Sequence, residues 1–383
     1  MAHGMTKSEQ FLSARIAEKL SIGMVWGVAL GLLLSGCGPV RPANPEKSAK
    51  PAKPRILWPQ PPDEPRYRFA GILRSAADVL VESDEARFKR MVTGQKSISD
   101  EPVIDKPSAI AVRFGMVYVA EPSAQAITVF DMQRRKLFRF GKRESDKLGR
   151  PQSVAVDNEG NVHVLDSKQQ KVLIFDNLGL LLRSFSVGEG FTSPVGIAVN
   201  PDGKAIYVVD RGDLGNNDHK VVAFSAKGKE LFRLGPRGED EGKFNIPLAA
   251  AVGPDNTLYV ADSANFRVQA FDPGGKFKFA FGSPGTAPGT FARPRSVAVG
   301  PDGNIHVADT GFNNVQIFDP AGRVLMPLGS LNRDPGPGNY ALIAGIAVDE
   351  AGRLFVNDHY FKKIEVFEPV PEALRARLAA EKQ

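Results

Sequence analysis

An all-β fold, specifically a six-bladed β-propeller, is predicted by three observations. One strand-and-turn pattern recurs six times from Pro107 to Phe367. The acidic residues that mark it are 44 to 52 residues apart, a spacing that suits a four-stranded blade and exceeds a leucine-rich or ankyrin unit. Finally, the sixth copy lacks a last strand, and a strand-like segment, Tyr67-Arg-Phe-Ala-Gly-Ile-Leu73, stands unused ahead of the first copy. Pairing the two closes the ring and removes two sheet edges.

Bulk composition agrees with one closed propeller. The chain has 383 residues, 42% apolar and 24% charged, with 38 glycines and 29 prolines for an all-β protein rich in turns. A net charge of only +6 lacks the concentrated basic face of a nucleic-acid binder, so nucleic acid is not an expected partner. The single cysteine, Cys37, rules out an intrachain disulfide. Nothing in the sequence argues for a homo-oligomer, and a monomer is expected.

Residues 1–36 read as an export signal. Arg15 and Lys19 precede an apolar run from Leu20 to Leu34, which matches a signal-peptide core and is short for a membrane span of roughly 20 residues. Met5 would serve equally well as a start, whereas Met24 would lose the basic region. The run ends in Leu34-Ser35-Gly36-Cys37, which resembles a lipobox. That resemblance implies a diacylglycerol on the Cys37 thiol, and multiple acyl chains there give stable anchoring. Gly38 follows where an aspartate would, by resemblance to enteric lipoproteins, signal inner-membrane retention, so an outer-membrane address facing the periplasm is expected. Residues 37–65 read as a tether: nine prolines, with Lys47, Lys50 and Lys53 between them, keep it extended.

The propeller is expected over 66–370. Each copy opens on a proline or its equivalent and a short apolar strand, as in Pro151-Gln-Ser-Val-Ala-Val and Pro294-Arg-Ser-Val-Ala-Val. Turns such as Asp157-Asn-Glu-Gly160 and Pro301-Asp-Gly-Asn304 supply the glycine and Asx residues of tight hairpins. A second strand ends in Glu121, Asp166, Asp210, Asp262, Asp309 or Asp358, and a third in Phe130, Phe175, Phe224, Phe271, Phe318 or Phe367. The acidic residues are read as structural, hydrogen-bonding loop backbone. Linkers carrying Phe191, Phe244 and Phe291 are expected to wedge those rings between blades. A short amphipathic helix is expected at about 76–95, and a helical tail at 371–383.

Copies four and five, Asp262-Ser-Ala-Asn-Phe-Arg-Val-Gln-Ala-Phe271 and Asp309-Thr-Gly-Phe-Asn-Asn-Val-Gln-Ile-Phe318, resemble the NHL repeat. Trp58-Pro-Gln-Pro-Pro-Asp63 with Arg66 resembles the lead-in of bacterial NHL-repeat lipoproteins. Copy one departs from the pattern, with Glu121 for aspartate, and copy three carries an insertion.

The resemblance extends to some enzymes. Six-bladed peptidyl-amidoglycolate lyases place zinc-binding histidines just after the repeat proline; here those positions are Ser108, Gln152, Val195, Leu248, Arg295 and Ala344. Calcium lactonases of similar shape need inward Glu, Asn and Asp, and no such set stands at the strand starts. His163 and His306 lie within second strands as packing residues. Asp213, Asn216, Asn217 and Asp218 in the third-copy insertion offer oxygen ligands that suit calcium, although their spacing fits no EF-hand, and no resident cofactor is expected. The basic run Arg134–Arg143 reads as an outer strand with solvated charges. Loops after the second strands gather Phe266, Phe312, His359, Tyr360 and Phe361, with Arg211 and Arg295 nearer the axis. Aromatic and arginine residues on one face are what binding surfaces use. The expectation is a lipid-anchored envelope module that binds a protein through this face. The alternative is an envelope enzyme, a lyase or lactonase-like hydrolase, with a metal in the channel.

Overall fold

The computed structural model of the chain describes residues 56–375 except 61, 82–83, 94–101 and 214. The export signal, Cys37, the tether up to residue 55 and the tail from 376 lie outside the described residues.

Six antiparallel sheets form the blades. In blade two the strands are Pro151–Val156, Val162–Asp166, Lys171–Phe175 and Leu181–Ser186, running from axis to rim. The inner strands of blades one to six, Ala109–Arg113, Pro151–Val156, Pro194–Val199, Pro247–Val252, Pro294–Val299 and Ile343–Val348, touch one another in a closed cycle around the axis. The chain thus has two faces. The linker face carries the connections into each inner strand and the loops after each acidic residue. The hairpin face carries the turns between first and second strands.

Each acidic residue fastens its blade at the linker face. Asp309 accepts hydrogen bonds from the N–H groups of Ala292 (2.7 Å) and Arg293 (3.1 Å) in the entering linker, and from Gly311 (2.7 Å) and Phe312 (3.3 Å) in the following loop. Asp166, Asp210 and Asp358 likewise bind N–H groups on both sides. Blade one uses the longer Glu121, which accepts from the Asp105 N–H at 2.9 Å.

The core is divided into six apolar clusters, one per blade interface, and one linker side chain wedges into each. Phe191, Phe244 and Phe291 fill the interfaces of blades two–three, three–four and four–five as expected. Ile104, Leu148 and Tyr340 do the same for six–one, one–two and five–six. All six are buried.

Tyr67–Leu73 pairs antiparallel with Lys363–Pro369 as the fourth strand of blade six, and Leu57–Trp58 adds a fifth. Trp58 meets Phe367 edge-on at 5.1 Å between ring centroids. Between the closing strand and blade one lie a short 3-10 turn, Ala76–Asp78, and the helix Asp84–Thr93. At the other end, residues 372–375 turn helical.

The closing strand also reaches blade five: the Tyr67 hydroxyl bonds His306 Nε2 at 3.0 Å, with the imidazole buried. Burial, opposed by Asp302 and the Asn304 backbone, pushes the His306 pKa down from 6.5 to about 4. Below pH ~6.5 the unfolded chain takes up a proton that the folded chain refuses until about 4, so stability falls as pH falls through that window. The expected loss is about 3 kcal/mol. Urea midpoints at pH 7 and pH 4 for the wild type and His306→Gln check this. The variant should lose less stability across the window, and equal losses would refute the assignment.

Candidate functional site

A β-bulge at the start of the inner strand sets the residue that faces the axis. In blades two to six the pairing slips by one residue at the strand start: Pro151 opposes Asp166 and Ser153 opposes Leu165, leaving Gln152 between. Proline, which has no N–H for the ladder, stands at this point in blades two to five and Ile343 in blade six. The same bulge holds Val195, Leu248, Arg295 and Ala344. A bulge re-aims a side chain, and these residues, with Ser108 of blade one, line the linker half of the axial channel, a cavity of about 180 Å³. Arg211 joins them there. Small polar groups tie neighbouring inner strands: Ser108 Oγ donates to Gln152 O at 2.8 Å, while Ser153 and Ser296 Oγ accept from Ile197 and Ile346 N–H at 3.2 Å. Arg295 Nε donates to Ala344 O of blade six at 3.3 Å.

The two mouths of the channel differ. At the hairpin face a cleft of about 250 Å³ is crossed by the ion pair of Arg113 Nε and Glu350 Oε1, 3.0 Å apart. At the linker face the channel adjoins a pocket of about 630 Å³ between blades one and two, lined by Lys106, Arg150, Lys168, Arg295, Gln152 and His359 among others. His359 Nδ1 donates to Pro107 O at 3.0 Å, which fixes the ring at the pocket edge.

Of the residues singled out in the sequence, Arg211, Arg295 and His359 come together at this mouth. Tyr360, beside His359, is 70% exposed. Phe312 is half-buried, and its N–H is held by Asp309. Phe266 packs against the interface of blades four and five, from a left-handed conformation at φ 55°. Phe361 lies half-buried with the Lys363 ammonium over its ring. In the insertion, Asn216 Nδ2 donates to Asp218 Oδ2 at 3.2 Å and the Asp213 carbonyl faces His219 Nε2 at 3.4 Å, an arrangement of turn hydrogen bonds. Among the described residues no three of His, Cys, Asp and Glu converge as metal ligands. Cys37 lies outside the described residues.

His163, buried, bonds Asp157 at 3.0 Å. Burial works to raise the Asp157 carboxyl, but hydrogen bonds from His163 and Asn161 hold it below its ordinary range. Three cations of the basic run are engaged internally, Arg134 on Asp131 (3.4 Å), Arg139 on Glu121 (3.6 Å) and Arg143 on Asp146 (3.0 Å), while Arg135, Lys136 and Lys142 are exposed.

Sequence reading missed Lys106, Arg150 and Lys168. A signal for the first two was present: the residue before the repeat proline is basic in copies one, two and five, as Lys106, Arg150 and Arg293.

The NHL repeat family matches residues 244–271 and 291–318, which are the linkers and first three strands of blades four and five. Several solved structures share the architecture. A Bacteroides thetaiotaomicron VPI-5482 protein of unknown function is 15% identical, with 79% of this chain and 76% of that one covered and a TM-score of 0.59. A streptogramin B lyase is 15% identical over 70% of this chain and 94% of its own, with a TM-score of 0.50. Kuenenia stuttgartiensis hydrazine synthase is 14% identical over 68% and 83%, also at 0.50. At such identities the likeness is one of fold. With the six blades, their closing strand and the two matched repeats, the chain is a six-bladed β-propeller that carries NHL repeats.

Proposed function

We propose that this protein is a binding module of the cell envelope, held to the membrane by lipid on Cys37 and working through the linker face of its propeller. A propeller carrying NHL repeats is a fold usable for protein interaction. The observation that carries the choice of face is the difference between the two channel mouths. The hairpin mouth neutralises its charge internally through Arg113 and Glu350. The linker mouth presents a pocket of about 630 Å³ with Arg295 and His359 in its wall, next to the exposed ring of Tyr360. Its lining suits holding a partner rather than moving protons, because a guanidinium stays charged and is a poor acid or base. The lipid reading is supported by the position of the chain's single cysteine at the end of Leu34-Ser35-Gly36-Cys37.

Two measurements on intact cells test the proposal. Metabolic labelling with a radioactive fatty acid should mark the wild type and fail with Cys37→Ala. Proximity crosslinking should recover specific envelope proteins that are lost with Tyr360→Ala, whose side chain is exposed enough for the change to leave the fold intact. Label on Cys37→Ala would remove the anchor. A crosslinking pattern indifferent to Tyr360 would move the working surface elsewhere.

A further inference from the structure

The linker mouth collects charge of one sign. Lys106, Arg150, Lys168, Arg211 and Arg295 line the pocket and the channel behind it, and no carboxylate lines either. The rim carboxylate of Asp105 is held by Lys362 Nζ at 2.6 Å. Asp166 lies buried beneath the pocket with its oxygens bonded to backbone N–H groups.

Arg295 is the informative residue. Other shielded cations of the protein have acid partners: Arg267 pairs with Asp262 (2.9 Å), Lys220 with Asp210 (3.4 Å) and Lys363 with Glu365 (2.6 Å). Among the described residues no carboxylate pairs with Arg295 or with Arg211. Burial, together with the charges of Arg211 and Arg293, disfavours the charged form of Arg295. Arg295 is half-buried; partly desolvating a guanidinium without a counter-charge carries a cost, and blades three, four and six fill the same bulge with the apolar Val195, Leu248 and Ala344. The 3.3 Å bond from Arg295 Nε to Ala344 O satisfies one donor and leaves the charge without a counter-ion, and a local cost of that kind marks a functional position.

We propose that the linker mouth binds a small soluble oxyanion, a carboxylate or phosphate, whose charged head enters the channel between Arg295 and Arg211. The body of the ligand rests in the pocket walled by Lys106, Arg150 and Lys168. This rests on the linker face being the working face. The volumes fit the division: about 180 Å³ admits only a head group, whereas about 630 Å³ lies in the range of small-molecule sites. Guanidinium forks match planar carboxylates and phosphates in two-point contact.

Isothermal titration of the purified full chain with inorganic phosphate and with citrate tests the site, at low and at high sodium chloride. Saturable one-to-one binding of at least one anion is expected, weakening with salt. Arg295→Leu and Arg211→Gln should each weaken it roughly tenfold or more, while Arg113→Gln at the opposite mouth leaves it unchanged. Melting temperature reports folding of each variant; if Arg295→Leu does not fold, Arg295→Lys keeps the charge, loses the fork, and should still weaken binding. Absence of binding to either anion at millimolar concentration would overturn the proposal, as would affinity unaffected by the arginine substitutions. Binding to phosphatidylglycerol vesicles with neither free anion bound would also overturn it, by making the site a membrane contact. A Tyr360-dependent crosslink without anion binding would sink this site and leave the partner-binding reading standing, and anion binding without such a crosslink would do the reverse.

Discussion

A chain beginning after residue 74 is expected to lose cooperative folding, while one beginning at residue 56 melts like the full-length protein. The closing strand Tyr67–Leu73 lies along the whole of Lys363–Pro369, from Tyr67 opposite Pro369 to Leu73 opposite Ile364. It also joins two apolar clusters with few residues: Tyr67 sits in the interface of blades five and six, where Phe69 packs on Phe367, and Leu73 in that of six and one. Tyr67 and Leu73 are buried and Phe69 and Ile72 half-buried; at about 1.5–3 kcal/mol for full burial of each side chain and half that for the partly buried ones, the strand contributes roughly 4–9 kcal/mol. That is comparable to the entire stability of an ordinary domain. Deletion would further expose the edge of Lys363–Pro369, with the otherwise buried Phe367, as a template for strand pairing between molecules. Differential scanning calorimetry of the two truncations, with a synthetic peptide of residues 56–75 added to the shorter one, reads the effect. Restoration of a cooperative transition by the peptide is the expected result. A sharp unassisted transition in the shorter chain would show that five complete blades and a three-stranded sixth suffice.

The closing strand could be anticipated because the sixth copy runs into Pro369 and Pro371 where the others continue, so the missing partner was countable along the chain. The wedges were legible only where they are phenylalanines. Phe191, Phe244 and Phe291 share an aromatic identity, but Ile104, Leu148 and Tyr340 fill equivalent interfaces with different shapes. An interface asks for apolar volume and not for one residue type, so pattern matching on identity passes over half of them. The site was legible in part for the same kind of reason. Arg295 belongs to a repeat position that lines the channel in every copy, so one copy's deviation is visible against the others, whereas Arg211 stands in the loop after a second strand. Lys106, Arg150 and Lys168 share a pocket with Arg295 only because the closed ring sets the inner strand of blade five across the axis from blades one and two. Distances across a closed ring have no counterpart in sequence separation. The bulges at Gln152, Val195, Leu248, Arg295 and Ala344 turn a local slip in pairing into a ring of inward side chains.

Asp309→Ala is expected to cost about 3–5 kcal/mol, because one side chain there organises backbone from two separate segments. The carboxylate is fully buried and accepts from Ala292 and Arg293 on the way into blade five, and from Gly311 and Phe312 on the way out of its second strand. Removing it strands several N–H donors beneath the surface, each at roughly 1–3 kcal/mol before relaxation and water offset part of the loss. Asp309→Asn keeps the shape but substitutes an amide nitrogen for one acceptor and forfeits the charge, so a smaller loss of about 2 kcal/mol is expected. Asp272 provides the contrast. It also accepts two backbone N–H groups, from Gly274 and Lys276, but in an exposed turn at the outer edge of blade four. There water replaces the lost acceptor, and Asp272→Ala should cost less than about 1 kcal/mol. Urea denaturation of the three variants, followed by intrinsic fluorescence, gives the order. If Asp309→Ala were no worse than Asp272→Ala, the repeated acidic residues would not be fasteners of the linker face. Their recurrence at the end of every second strand would then need a functional explanation. If the order holds, the linker face is rigid because each blade carries its own fastener, and Arg295 and Arg211 are held on a frame stiff enough to keep two like charges close without a partner between them.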